Sequence, residues 1–272
     1  MNFSFALLLI NIHLVFDFIF QGKSIITLRF PEKYNKESVI KSVRGNLRHV
    51  LKHLFGSLII VGVFCKLNGQ GIPIIEIIAI TVTHFIIDES KSILIMKKIF
   101  LQEDVWIFLM DQFLHLLAIY VICFIGDFNG LMLITNYDLS YLDKILLIIL
   151  IAIVTTFVAG IFIKILMKSL ENDPYKKLIK KNVYLPSEKR NLSGARNGGF
   201  IIGILERAFI LVIMIINQPS MIGFVLATKS VARFKKLEDE SFAEYFIIGS
   251  FTSFIIAILG GYLISNLLKS IT

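Results

Sequence analysis

Apolar residues gather into runs at about 3–21, 48–66, 72–92, 105–125, 142–167, 199–216, 219–234 and 245–267, and the segments between them hold Pro, Gly, Asn and most of the charge. About 18 or more apolar residues in a row reach across a hydrocarbon core of roughly 30 Å at about 1.5 Å per residue. The pattern predicts an all-α, polytopic integral membrane helical bundle of about eight transmembrane helices. The sixth and seventh runs are parted only by Asn217-Gln218-Pro219, a turn signal that predicts a tight helical hairpin. No Lys or Arg precedes Lys23, and the first run carries His13 and Asp17, so it is expected to be a retained helix and not a cleaved signal.

Composition narrows the class. Of 272 residues, 56% are hydrophobic, 18% are charged and five are proline, with a mean hydropathy of +0.78. Such a chain is too apolar for an ordinary soluble domain, and it is not disordered, collagenous or built on disulfides. Cys65 and Cys123 stand in no Cys-x-x-Cys or Cys/His spacing and are expected to be small lipid-facing hydrophobes.

A net charge of +8 and a pI near 9.4 would suit a nucleic-acid partner, but the distribution of the charge supplies a different reason. Segments 22–48, 89–104, 164–199 and 229–244 are alternate loops, and they hold 23 of the 28 Lys and Arg residues. Basic residues are retained on the cytoplasmic side of short loops. Eight helices with both termini outside satisfy that rule at every loop and leave Asp127, Asp138 and Asp143 in an outer one. Topology thus accounts for the basicity with no nucleic acid, and the expected surroundings are membrane lipids. The longest loop, 168–198, carries Lys176, Lys177, Lys180 and Lys181. It divides a five-helix segment, 1–167, from a three-helix segment, 199–272, and is expected to be a solvated linker, with contact to anionic headgroups as the alternative.

Ionisable side chains inside spanning helices are costly and mark function by default. Here all five histidines fall in the first four helices, and three of them share a pattern with an aspartate: His13-x-x-x-Asp17, His84-x-x-x-Asp88 and Asp111-x-x-x-His115. Residues four apart on a helix leave from one face. The first and third helices run inward and the fourth outward, and only the fourth carries the pattern reversed, so all three pairs have the same sense across the membrane. Counting about 1.5 Å per residue from the cytosolic helix ends puts the three aspartates roughly 6–9 Å deep and their histidines roughly 12–15 Å deep. His53 comes to roughly 8 Å by the same count. His49 lies one turn shallower and is expected at the interface, solvated.

Imidazole and carboxylate are the ligands that hold Zn, Mn or Fe, and bundle-core metal sites are built from such pairs on facing helices. A bound divalent cation would offset the cost of carboxylates in hydrocarbon. Three readings fit: a metal site, a structural hydrogen-bond network, and an ion or proton path. Three matched pairs at one depth favour the metal, with His13, Asp17, His53, His84, Asp88, Asp111 and His115 as candidate ligands. Hydrolysis of lipid or lipid-linked phosphate is then the best-fitting reaction. The alternative is a non-enzymatic component, an ion or proton carrier or a sensor subunit, whose His/Asp layer is structural or titrates.

At these residues the chain resembles a bacterial family of membrane proteins catalogued as domain of unknown function 3307. The matching stretches are His13-Leu-Val-Phe-Asp17-Phe-Ile-Phe-Gln21, Leu47-Arg-His49-Val-Leu-Lys-His53, His84-Phe-Ile-Ile-Asp88-Glu-Ser-Lys91 and Asp111-Gln112-Phe-Leu-His115, which together span roughly the first 120 residues. The resemblance implies a multi-pass protein of a bacterial cytoplasmic membrane and brings no activity with it. Short His-plus-Asp helix motifs also resemble those of bacterial membrane-bound metal-dependent hydrolases. No His-Glu-x-x-His, Gly-x-Ser-x-Gly or P-loop pattern is present.

The C-terminal part carries its own intramembrane charges. Glu206 and Arg207 lie roughly 10–12 Å inside the sixth helix, and Lys229 and Arg233 are one turn apart near the end of the seventh. A structural ion pair of Glu206 with Lys229 across the hairpin is one expectation. An anion or headgroup site of Arg207, Lys229 and Arg233 is the other. Ile202-Gly203-Ile-Leu-Glu206-Arg207, the stretch from Ile222 to Phe234, and Glu244-Tyr245-Phe-Ile-Ile-Gly249-Ser resemble an extension found in longer members of the same family.

Overall fold

In the computed structural model, which describes residues 3–102, 104–124, 138–171 and 198–271, every regular element is helical. Helix α1 (Phe3–Phe18) gives way, through a bend of 88°, to the short α2 (Lys23–Arg29). Then come α3 (Lys36–Leu67), α4 (Ile74–Met96), α5 (Val105–Phe124) and α6 (Tyr141–Ile153). A wide π turn, Val154–Val158, precedes α7 (Ala159–Glu171), and α8 (Gly198–Ile215), α9 (Ile222–Val231) and α10 (Glu240–Lys269) follow. The chain forms two compact units, Met1–Ile153 and Val154–Thr272. Their boundary falls inside the fifth apolar run and not in the loop 168–198. Most of that loop, with Lys176, Lys177, Lys180 and Lys181, lies outside the described residues, as does Asp127.

Five helices are long and apolar enough to cross a membrane: Lys36–Leu67, Val105–Phe124, Tyr141–Leu170, Gly198–Ile215 and Phe242–Lys269; the bent α1–α2 pair makes a sixth. Helix α4 has the length, at 23 residues, but Glu76, Asp88, Glu89 and Lys91 lie along it. The expected count of eight full helices fails at the seventh run. There α9 has only 10 residues and reaches about 15 Å, half a hydrocarbon core. Short 3-10 turns, Pro219–Met221 and Phe234–Lys236, flank it.

Within the first unit, neighbouring helices alternate in direction. Asp17 of α1 meets His49 of α3, and Leu9, two turns back along α1, lines one cavity with Ser57, two turns on along α3. His53 faces His84 and Asn46 meets Ser92 between α3 and α4, while His84 faces His115 and Lys91 meets Asp111 between α4 and α5. Helix α6 runs parallel to α1: Ser4 Oγ donates to Asp143 Oδ1 at 2.5 Å, and Asn11 Nδ2 to the Leu146 carbonyl at 3.1 Å. Asp143, expected in an outer loop, is fully buried. It belongs to a capping box in which Ser140 N donates to Asp143 Oδ2 at 3.0 Å and Asp143 N donates to Ser140 Oγ at 3.2 Å. Cys65 and Cys123 also depart from expectation, since both are buried in the apolar core beside Val61, Ile77 and Ile119 and neither faces lipid.

Helix α3 begins a dozen residues before its apolar run because Asn35 caps it, its side chain accepting from Ser38 N at 2.8 Å. The polar first turns make room for α2. At Gly45 an added Cβ would come within 2.8 Å of Arg29 N and 2.9 Å of Leu28, so only glycine lets α2 press this closely on α3.

In the second unit, Arg207 of α8 faces Ser253 of α10, and Leu211 and Met214 face Gly261, so α8 and α10 run parallel. The chain therefore returns between them through α9 and its flanking turns. Helix α7 runs against both, with Gly160 at Arg207 and Met167 at Gly249.

Candidate metal centre

Four helices bring five imidazoles to one place. The ring centroids of His13, His49, His53, His84 and His115 lie 4.2–5.8 Å apart in the contacting pairs. All five side chains are buried. The i,i+4 spacing supplies this locally: His13 and Asp17 leave one face of α1, His84 and Asp88 one face of α4, and Asp111 and His115 one face of α5.

Asp17 is the hub of the cluster. Its Oδ1 lies 2.9 Å from His53 Nε2, 3.0 Å from His49 Nε2 and 3.7 Å from His84 Nε2, and its Oδ2 lies 3.7 Å from His13 Nε2. His49, expected to be solvated at the interface, is 1% exposed and stands between Asp17 and Asp88. It was misplaced because a count along one helix cannot see α2 folding over that turn.

The other two carboxylates meet cations. Arg29 Nη2 is 2.6 Å from Asp88 Oδ1, and Lys91 Nζ is 2.7 Å from Asp111 Oδ2. Gln112 Nε2 also donates to Asp111 Oδ2 at 3.1 Å. Arg29 sits in a segment read from sequence only as a topology-setting loop, yet its side chain is 4% exposed. Its position follows from the 88° bend after α1 and the close pass at Gly45. Gln21 closes the corner, its amide oxygen toward Arg29 Nη1 and its nitrogen 3.3 Å from the Asp17 carbonyl. One turn further along, Glu89 Oε2 accepts from Asn46 Nδ2 at 2.6 Å and from Ser42 Oγ at 3.1 Å.

Three groups of side chains bring ligand atoms within 4.8 Å of one another: His13, Asp17, His53 and His84; His49, His84 and Asp88; and Asp88, Asp111 and His115. A tetrahedral zinc shell with bonds of about 2.0–2.1 Å spaces its ligand atoms about 3.3 Å apart. The contacts of 2.9–3.7 Å around Asp17 bracket that spacing. The Nε2 atoms of His13, His53, His84 and His115 are buried without an aligned hydrogen-bond partner, His53 although it lies 2.9 Å from Asp17 Oδ1. For His115, Nδ1 lies 2.7 Å from the Asp111 carbonyl, which only accepts, so Nδ1 is the donor and Nε2 is the atom turned toward the cluster.

Glu206, Arg207, Lys229 and Arg233 of the second unit each have a partner within it. Lys229 Nζ pairs with Glu206 Oε2 at 2.7 Å, as the hairpin predicts, and lies 5.6 and 5.7 Å from the Phe246 and Phe254 ring centroids. Arg233 lies over Phe246 at 6.0 Å. Arg207 turns to the other side, where Nη2 and Nε donate to the Thr156 carbonyl at 2.7 and 3.2 Å and Nη1 to Ser253 Oγ at 3.3 Å. Thr156 belongs to the π turn, whose widened backbone offers that carbonyl sideways.

No curated protein and no solved structure matches the chain. A family model does match over residues 5–140, the stretch that holds every His and Asp of the buried cluster, and the chain accordingly belongs to the family described as protein of unknown function (DUF3307).

Proposed function

We propose that the N-terminal unit binds one divalent transition-metal ion, Zn, Mn or Fe, through His13, Asp17, His53 and His84. The observation that carries this reading is a mismatch of partners. Three imidazole nitrogens with no aligned hydrogen bond converge on the one carboxylate of the cluster that meets imidazoles and no cation. Buried polar atoms are rarely left so, and a cation at their centre satisfies all of them together. Asp88 and Asp111 have their charge balanced by Arg29 and Lys91, although Asp88 Oδ2 and Asp111 Oδ1 make no hydrogen bond. In this reading they orient His84 and His115 and bind no metal themselves. Hydrolysis of an ester of a lipid or lipid-linked phosphate is the chemistry we attach to the ion, which activates water in such sites. We take the protein to lie in the bacterial cytoplasmic membrane among lipids, both termini outside, as the alternating basic loops support. Arg207, Lys229 and Arg233 are read as structural.

Metal analysis of protein purified in detergent without chelator tests the proposal. About one ion per chain is expected, with a loss of about tenfold or more on Asp17→Ala or His84→Ala and retention on Asp111→Asn. Folded wild-type protein that takes up none of the three metals on dialysis would sink it.

A further inference from the structure

Three of the candidate ligands line a small void. A cavity of about 20 Å³ is bounded by Leu9, His13, His53, Ser57, Ile80, Thr81 and His84. Leu9, Ser57 and Ile80 each stand one turn from the histidine of their own helix, Thr81 three residues from His84, and all lie on the same side of the imidazole layer. It is the apolar side. Beyond the void the charges are few, Lys66 near the end of α3 and Glu76 two turns from His84 on α4, whereas Lys52, Arg48, Arg44 and Lys41 crowd α3 the other way. The void therefore caps the imidazoles toward the bilayer interior. On the opposite side the layer is closed by His49 against Asp17, the Arg29–Asp88 pair and Gln21.

The void's size and walls suit one small ligand. A water needs roughly 10–15 Å³ and two to four polar partners. Thr81 Oγ1 donates its proton to the Ile77 carbonyl at 2.7 Å and so presents lone pairs, and Ser57 adds a second hydroxyl. The α1 wall, Leu9, is buried, while Ser57, Ile80 and Thr81 are half-buried, so the cavity nears the surface along the seam of α3 and α4. The helix faces flanking that seam are apolar, with Ile60 and Ile78 exposed.

We propose that this cavity is the exchangeable-ligand position of the His13/Asp17/His53/His84 centre and is entered from the bilayer between α3 and α4, so that the site takes an oxygen or sulfur donor borne by a membrane-dissolved molecule and not a cytosolic solute. The inference rests on the metal reading. Catalytic zinc sites hold an exchangeable ligand beside three protein ligands and expand to five-coordinate; with His13, Asp17, His53 and His84 all bound, the cavity offers the fifth position, and it faces hydrocarbon.

Cobalt(II)-loaded full-length protein in lipid nanodiscs, followed by its visible ligand-field absorption, tests the inference. A long-chain alkanethiol that partitions into the bilayer should shift the spectrum, and 2-mercaptoethanesulfonate, which stays in water, should not. Ser57→Leu, which fills the void, should keep cobalt at the wild-type ratio and weaken the alkanethiol response at least tenfold. Thr81→Leu does the same from the opposite wall if the first variant does not fold. Equal response to both thiols, response to the water-soluble one alone, no response to either, or an unchanged response in the filled variants overturns this inference and leaves the metal reading standing. Wild-type protein that binds no cobalt overturns both.

Discussion

The two units treat buried polarity in opposite ways. Among the described residues, every buried side-chain nitrogen or oxygen without a hydrogen-bond partner belongs to the first unit. In the second, Arg207 has the Thr156 carbonyl and Ser253, and Glu206 has Lys229. Both units bury ionisable groups between apolar helices, where each must be compensated. The second unit closes its account with its own atoms, and a polar group that is already satisfied is glue. The first leaves a surplus of imidazole nitrogens around Asp17, and such a surplus is what a ligand would use.

The largest test of this contrast removes a cation from the first unit. Arg29→Met strands Asp88 in the interior, and stranding one member of a buried pair costs about 3–5 kcal/mol. Thermal unfolding in detergent should show a loss of that order, and Arg29→Met/Asp88→Leu should recover most of it. A loss equal in the single and double variants would mean that the pair is not the buried unit described here.

Metal removal comes next. A ligand present at 100 times its dissociation constant stabilises by about 2.7 kcal/mol, so chelation should lower the unfolding midpoint of the wild type and leave Asp17→Asn unmoved. Arg207→Met should cost about 2 kcal/mol through lost charge-assisted bonds, and its metal content should match the wild type. If that variant lost its metal, the division of labour between the units would fail. The smallest effect is expected at the hairpin, where a double-mutant cycle on Glu206→Gln and Lys229→Met should give a coupling of about 0.6 kcal/mol, the usual scale for polar pairs between membrane helices.

Local regularities made the cluster legible in the sequence. His13 and Asp17 share a helix face by spacing alone, as do His84 with Asp88 and Asp111 with His115, and the alternation of basic loops put the three pairs in one layer. What stayed hidden depended on distant or backbone events. Nothing near Arg29 announces that it pairs with Asp88, because the cause is a bend after Phe18 and a bare backbone at Gly45. The π turn at Val154–Val158 sits in an unbroken apolar run, so hydropathy passes over it. Cys65 and Cys123 were assigned to lipid because apolar periodicity does not tell which face of an all-apolar helix is covered.

The chain order of the two buried ion pairs bears on how the protein is made. Arg29 precedes Asp88, and Lys91 precedes Asp111. A chain that emerges from its N-terminus has thus laid down each cation before the carboxylate it will neutralise reaches the membrane. Asp17 precedes the other two carboxylates and pairs with neither Arg29 nor Lys91. Until α3 and α4 bring His49, His53 and His84, only His13 stands beside it, so this acid waits longest for the groups that surround it in the folded chain.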